Sequence, residues 1–194
     1  SAIDFYPTVC QLLGIKPSGP LDGKSFLPLL KGEQQSGRAH VFKEYHENAR
    51  GTPLPMRSVQ NKQFVYIFNP WHHGDSTFKS ATLYTNTFRA MSKSKNMDIK
   101  ERRNLFLKRP LEELYDVSRD PDCLTNLAES IEFNKIKKGM RKQLLDHMKE
   151  HQDPAAVALE SFNRPDIIKK WIISVQQQSK KAWDDPSTDK KRHK

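Results

Sequence analysis

Between Glu132 and Glu150 the apolar residues Phe133, Ile136, Met140, Leu144 and Met148 recur at steps of 3, 4, 4 and 4. At about 100° per residue they fall on a single helical stripe. A helix of this kind gains most of its stability from covering that stripe, not from propensity. The chain offers strands for the purpose. Gln63 to Phe68 alternates so that Phe64, Tyr66 and Phe68 share one face. Met56 to Gln60 reads as a neighbouring strand joined through Asn61-Lys62, and Asn69-Pro70 ends the run. Val41 to Tyr45 and Glu112 to Val117 read as two further strands, the second followed by an Asp120-Pro121 turn and a segment that Asp122 or Thr125 can cap.

Residues 1–14 read as a helix capped by Ser1 or Asp4 and stopped by Gly14, with Ile3, Tyr6, Val9, Cys10 and Leu13 on one face. Pro17, Gly19, Pro20 and Gly23 mark a loop, after which Ser25 caps a short turn from Phe26 to Leu30. Residues 71–110 are polar and carry a basic helix from about Leu83 to Phe106. Asp153-Pro154 opens a further helical stretch, and a third runs from Pro165 to Val175. On the long helix Lys135, Lys138, Arg141 and Lys142 lie off the stripe and read as a solvated face. Boundaries fall near 38–41 and near 160, where the core is expected to end.

With 194 residues the chain can bury a core without disulfide staples. Its 36% hydrophobic content is nevertheless low against about 45–50% for globular domains. Part of the chain is therefore expected to lie outside the core. The formal charge of +10 favours polyanions in general. From 163 onward there are nine Lys/Arg against four Asp/Glu, so half the excess sits in the last stretch. Its end, Lys190-Lys191-Arg192-His193-Lys194, reads as a disordered tail. Cys10 and Cys123 fit neither a disulfide framework nor a zinc spacing, and read as buried free thiols. No apolar stretch approaches the length of a membrane span.

A Gly-rich phosphate loop, His-Glu-x-x-His, Gly-x-Ser-x-Gly and a calcium loop are all absent from the sequence. His72-His73, read as strand neighbours, would point to opposite faces and not share a metal. One segment stands out: Glu44-Tyr45-His46-Glu47-Asn48, followed by Pro55-Met56-Arg57-Ser58-Val59. His46 between carboxylates at a strand end can donate to an anion or act as acid or base. Arg57 can fork onto a sulfate or carboxylate. The alternative is a structural salt-bridge cluster.

Two further motifs bring a family into view. Ile3-Asp4-Phe5-Tyr6-Pro7-Thr8-Val9 leads to Leu13-Gly14-Ile15, and Leu21-Asp22-Gly23-Lys24-Ser25-Phe26-Leu27-Pro28-Leu29-Leu30-Lys31-Gly32 follows. In this order and spacing they resemble the sulfatases. His46-Glu47, Pro55 to Gln60, Glu113-Leu114-Tyr115-Asp116-Val117-Ser118-Arg119-Asp120-Pro121 and Asn126-Leu127-Ala128 are similar to the heparan N-sulfatases (N-sulfoglucosamine sulfohydrolases) and their bacterial relatives. The resemblance covers residues 1 to about 150.

The resemblance implies an α+β fold in three parts. Residues 1–45 would be the C-terminal edge of an alkaline-phosphatase-like α/β catalytic domain, presenting a face that the rest of that domain covers. Residues 46–155 would be the sulfatase C-terminal subdomain, a small four-stranded antiparallel sheet packed by a long helix. Residues 156–194 would be a helical extension and a basic tail. Sulfatases use a formylglycine made from C/S-x-P-x-R, together with Ca²⁺. Neither Cys10 nor Cys123 begins that motif, and Ser18-Gly19-Pro20-Leu21-Asp22 has Asp where Arg is required. The chain therefore reads as the part of a sulfatase downstream of its catalytic machinery, inactive alone, with no cofactor of its own. The expected partners are a sulfated sugar and the N-terminal catalytic portion. By the same resemblance the location would be lysosomal, periplasmic or extracellular, although the sequence shows no signal peptide. His46, Glu47 and Arg57 would lie at the rim of the substrate pocket and recognise the sugar without breaking the bond. The rival reading is a non-catalytic polyanion-binding module, for sulfated glycan before nucleic acid.

Overall fold

The computed structural model describes residues 2–48, 51–72 and 77–184, with side chains described as far as 180. The basic end of the tail and His73 lie outside the described residues. The chain divides into two compact units, Ser1–Val41 and Phe42–Lys194.

The first unit holds a 3₁₀ turn, Ala2–Asp4, running into α1 (Phe5–Leu13), and a short α2 (Leu27–Leu30). Gly14 takes the left-handed conformation, φ 65°, that stops α1, and the Ile15 N–H donates back to the Cys10 carbonyl at 2.8 Å. Ser25 does not take the N-cap position of α2, which is Phe26; one residue ahead of it, the Ser25 Oγ accepts from the Leu27 N–H at 3.1 Å. Gly23 is required by a close approach: a Cβ there would sit 2.1 Å from the Ile3 carbonyl oxygen.

The helix does not bury the face that its apolar spacing suggests. Ile3, Tyr6 and Leu13 are 58%, 52% and 63% exposed, while Asp4, Pro7, Thr8 and Cys10 are buried. The reason is polar. Asp4 Oδ1 accepts from the Lys24 N–H at 2.8 Å, and Asp4 Oδ2 accepts from Arg38 at 2.9 Å. Thr8 Oγ1 accepts from the Phe26 N–H at 3.0 Å. These bonds lay the 23–26 loop along the Asp4–Thr8 side of α1 and leave the apolar side outward.

The second unit is built on four strands, β1 (Val41–Glu47), β2 (Pro53–Gln60), β3 (Phe64–Phe68) and β4 (Glu112–Asp116), ordered β1-β2-β3-β4. β2 and β3 are antiparallel with Val59 opposite Tyr66, and β3 and β4 are antiparallel with Tyr66 opposite Leu114. The β2–β3 turn is fastened by Asn61, whose Oδ1 accepts from the Gln63 and Phe64 N–H groups at 2.9 and 2.7 Å. Between β3 and β4 the expected single basic helix is two, α3 (Asn86–Lys93) and α4 (Met97–Leu107). Thr85 and Asn96 each supply an N-cap, accepting from the Phe88 and Ile99 N–H groups, and the second cap starts a new helix where the first ends. His72 lies in a turn after β3, its N–H bonded to the Asn69 carbonyl, and not in a strand.

Helix α5 (Asn134–Glu150) carries the stripe, and Met140, Leu144 and Met148 are buried against Val59, Phe64, Tyr66, Phe68 and Leu114. Its basic residues are not all solvated. Arg141 bonds Glu112 at 2.5 Å and the Tyr66 hydroxyl at 3.2 Å, and lies 3.6 Å over the Phe162 ring. Lys137 reaches the other Glu112 oxygen at 2.9 Å. Glu112 is a buried carboxylate on the helix-facing side of β4, and it requires cations there.

The core also runs past residue 160. Helices α6 (Ala156–Glu160) and α7 (Pro165–Asp184) follow, and Leu159, Ile168 and Ile172 are buried. Ile168 joins the main core, and Ile172 packs with Leu54 and Trp71. The polarity after Val175 suggested an end to helical structure, but α7 continues to Asp184. Cys10 and Cys123 are free thiols, the first buried and the second half-buried.

Candidate functional site

The structure brings His46, Glu47 and Arg57 to one open groove of about 440 Å³, whose wall includes Pro53, Pro55 and Trp171. His46 and Glu47 come from the end of β1, and Arg57 from the adjacent β2. Asp153, in the turn after α5, completes the arrangement, and the sequence reading did not find it. Its signal was faint: an Asp before Pro154 reads first as a helix-opening residue. In the structure Asp153 Oδ1 accepts from the Ala155 N–H at 2.9 Å, in the turn ahead of α6.

Arg57 and Asp153 form a buried bidentate pair, with Nε to Oδ2 at 2.5 Å and Nη2 to Oδ1 at 3.0 Å. Their side chains are 2% and 5% exposed. Nη1 donates to the Tyr45 and Met56 carbonyls, both at 3.0 Å. Nη2 also meets His46 Nδ1 at 3.3 Å. A guanidinium has five N–H donors, and these contacts use them all. Arg57 is therefore not free to fork onto an external sulfate in this arrangement; it holds the ends of β1 and β2 to the turn after α5.

The same contacts fix the His46 tautomer. Arg57 can only donate, so Nδ1 is the acceptor and neutral His46 carries its proton on Nε2. That Nε2 lies 3.2 Å from Glu44 Oε2, and the imidazole is 64% exposed. Burial pushes the Asp153 carboxyl up, but donation from Arg57 and the Ala155 N–H outweighs it and holds the group below the ordinary carboxylate range. The result is an exposed imidazole, oriented by a buried ion pair and with its Nε2–H turned to Glu44, beside the exposed carboxylate of Glu47.

No family model matches the chain. It is 29% identical over 160 residues to an ulvan-active sulfatase of Formosa agariphila, covering 77% of this chain and 29% of that protein. It is 30% identical over 168 residues to the N-sulphoglucosamine sulphohydrolase of Homo sapiens, covering 79% of this chain and 33% of the relative. Among solved structures it matches a 2-O GAG sulfatase with a TM-score of 0.53 and 25% identity, over 77% of this chain and 25% of the other. The chain is sulfatase-like with an α+β fold, and it spans about a quarter to a third of the length of these relatives.

Sulfatases as a family imply Ca²⁺ and a formylglycine, and the described residues do not fit either. Cys10 is packed inside α1, Cys123 sits in a turn, and neither begins the required motif. Among the described residues the one cluster of three side chains able to share an ion is His147, Glu150 and His151. Two imidazoles are the wrong donors for calcium, which takes oxygen ligands. No helix of the described residues is long and apolar enough to cross a membrane.

Proposed function

We propose that this chain is the C-terminal portion of a sulfatase that hydrolyses sulfate esters or sulfamates of sugars. In this reading the portion supplies part of the substrate rim, while nucleophile and metal come from a catalytic portion that the chain does not contain. His46 and Glu47 face the sugar, the first donating from Nε2 to a sugar oxygen that takes the place of the exposed Glu44 carboxylate and the second accepting from a hydroxyl. Arg57 is a positioning residue that acts through His46. Sugars present hydroxyls at their edges and C–H groups on their faces, so a polar end and an apolar wall containing Trp171 suit one. Residues 1–45 would then be an edge of the catalytic domain, and residues from 46 onward a subdomain with its extension. A lysosomal, periplasmic or extracellular location goes with that assignment.

The single observation that carries this reading is the aimed His46 at the groove, in a chain whose relatives are named for sulfated sugars. The test joins this chain to an upstream sulfatase catalytic portion and measures turnover of an N-sulfated glucosamine. His46→Ala is expected to raise KM about tenfold, the loss of one good hydrogen bond, with kcat nearly constant. An unchanged KM removes His46 from the rim. The 194-residue chain by itself is expected to release no sulfate. Release would show that it carries a nucleophile of its own.

A further inference from the structure

We propose that His147, Glu150 and His151 form a surface site for a divalent transition-metal ion of the zinc class. The proposal stands on geometry at the end of α5 and not on the sulfatase reading. One ligand atom from each of the three side chains lies within 4.8 Å of the others. The spacing explains why: residues four apart on a helix sit one above the other, and the residue three on is their neighbour. Histidine, two residues, glutamate, histidine is also the order in which one class of zinc hydrolases sets its two histidine ligands on a helix.

Two features favour a metal over a mere cluster of polar groups. The first is the state of His151. Its Nδ1 lies 2.9 Å from the His147 carbonyl oxygen. A carbonyl can only accept, so Nδ1 carries the proton and Nε2 offers its lone pair outward. A ring N–H held by a backbone carbonyl is the usual support behind a metal-binding histidine. The second is the state of His147. Its ring is stacked on Phe42, with centroids 3.7 Å apart and planes 7° from parallel, and is already held in one orientation. Little side-chain freedom is left to lose there when an ion binds. The site also lies in the last turn of a 17-residue helix, where the backbone dipole favours positive charge.

The donor set selects the ion. Two imidazole nitrogens and one carboxylate suit zinc, copper or nickel and disfavour calcium and magnesium. Bonds of about 2.1 Å bring tetrahedral ligand atoms to roughly 3.4 Å apart. Closing the set therefore needs shifts of only about 1 Å, and Glu150 and His151 are exposed and able to make them. Three protein ligands leave at least one position for water.

The test is a titration of the tag-free 194-residue chain with ZnCl₂, followed by calorimetry and by the thermal midpoint, and repeated with Co²⁺ for its visible spectrum. One ion per chain is expected, with a raised midpoint, because an ion that binds only the folded state stabilises it. His151→Ala, at an exposed position, should weaken binding at least tenfold and abolish the midpoint shift, while lowering the metal-free midpoint only slightly through loss of its bond to the His147 carbonyl. Glu150→Gln should weaken binding by a smaller factor. A millimolar excess of Ca²⁺ should not displace the ion. No uptake, uptake that His151→Ala leaves intact, or displacement by Ca²⁺ would each overturn the proposal. Sulfate release is not a readout in this experiment, so its outcome is separable from that of the functional reading.

Discussion

The two units solve the problem of an amphipathic helix in opposite ways. In the second, α5 turns its apolar stripe onto β2, β3 and β4, and Leu144 and Met148 are 1% exposed. In the first, α1 turns its polar residues inward, and Phe5, Leu12 and Leu13 are 66%, 65% and 63% exposed. One unit is held by apolar burial, with paired charges set into it. The other is tied by Asp4, Thr8 and Arg38 and displays its apolar surface. The difference shows that the apolar residues do not all go into a core. Apolar residues are present along 1–41, but they are not spent on that unit's own interior. An uncovered apolar helix face of this kind is what the edge of a larger domain would present.

The largest expected effect lies in the second unit. Arg57→Ala leaves Asp153 buried without its cation and should cost about 3–5 kcal/mol of stability, read as a lowered midpoint of thermal or urea unfolding. The pH dependence has a defined sign. The folded-state pKa of Asp153 is depressed. The pair's contribution is therefore present above the unfolded carboxylate pKa and is lost as pH falls through the folded value. The variant should lack that acid-dependent part. A midpoint equal to that of the unmodified chain would mean the ion pair does not hold the second unit together, and the contrast between the units would fail.

How far this was legible in the sequence follows the same division. Periodicity located α5 and all four strands, because Leu144 on the helix and Tyr66 on its strand are buried where their spacing puts them. Periodicity grouped Ile3, Tyr6 and Leu13 on one face of α1 but did not say which way it turns; side-chain bonds from Asp4 and Thr8 set it outward. It also passed Arg141 as solvated, since the carboxylate that draws it inward, Glu112, lies 29 positions away in the chain. At the candidate site, His46, Glu47 and Arg57 were singled out by residue type, and in the structure all three line one groove. Asp153 was not found, because it pairs with Arg57 across 96 positions and no local pattern records that. His147, Glu150 and His151 stand at helical spacing, but in the reverse of the His-Glu-x-x-His order, so that pattern does not mark them.

The first unit should respond more weakly and more locally. Burial pushes the Asp4 carboxyl up, but the Lys24 N–H and Arg38 bonds outweigh it and hold the group at about 2 against an ordinary 3.8. Its contribution is thus complete above about 3.8 and is lost as pH falls toward 2. Asp4→Ala removes the acceptor at any pH. The Lys24 amide should then exchange its hydrogen about tenfold faster, equivalent to about 1.4 kcal/mol. Amides of Val59 and Leu114, deep in the other unit, should keep their rates. Faster exchange at those amides would show that the polar tie supports the whole chain and not one unit.

The smallest expected effect is the most discriminating. Leu13 is 63% exposed on the outward face of α1. Leu13→Ser on a solvated surface should change stability by less than about 0.5 kcal/mol. A buried leucine cut back in the same way would cost about 2–5 kcal/mol. The substitution should also raise the concentration at which the chain begins to associate, since it breaks up an apolar surface. Joined to an upstream catalytic portion, the same substitution should become costly, because Leu13 would then be covered. A cost that is small in both settings would leave α1 a solvated helix with no larger domain to complete.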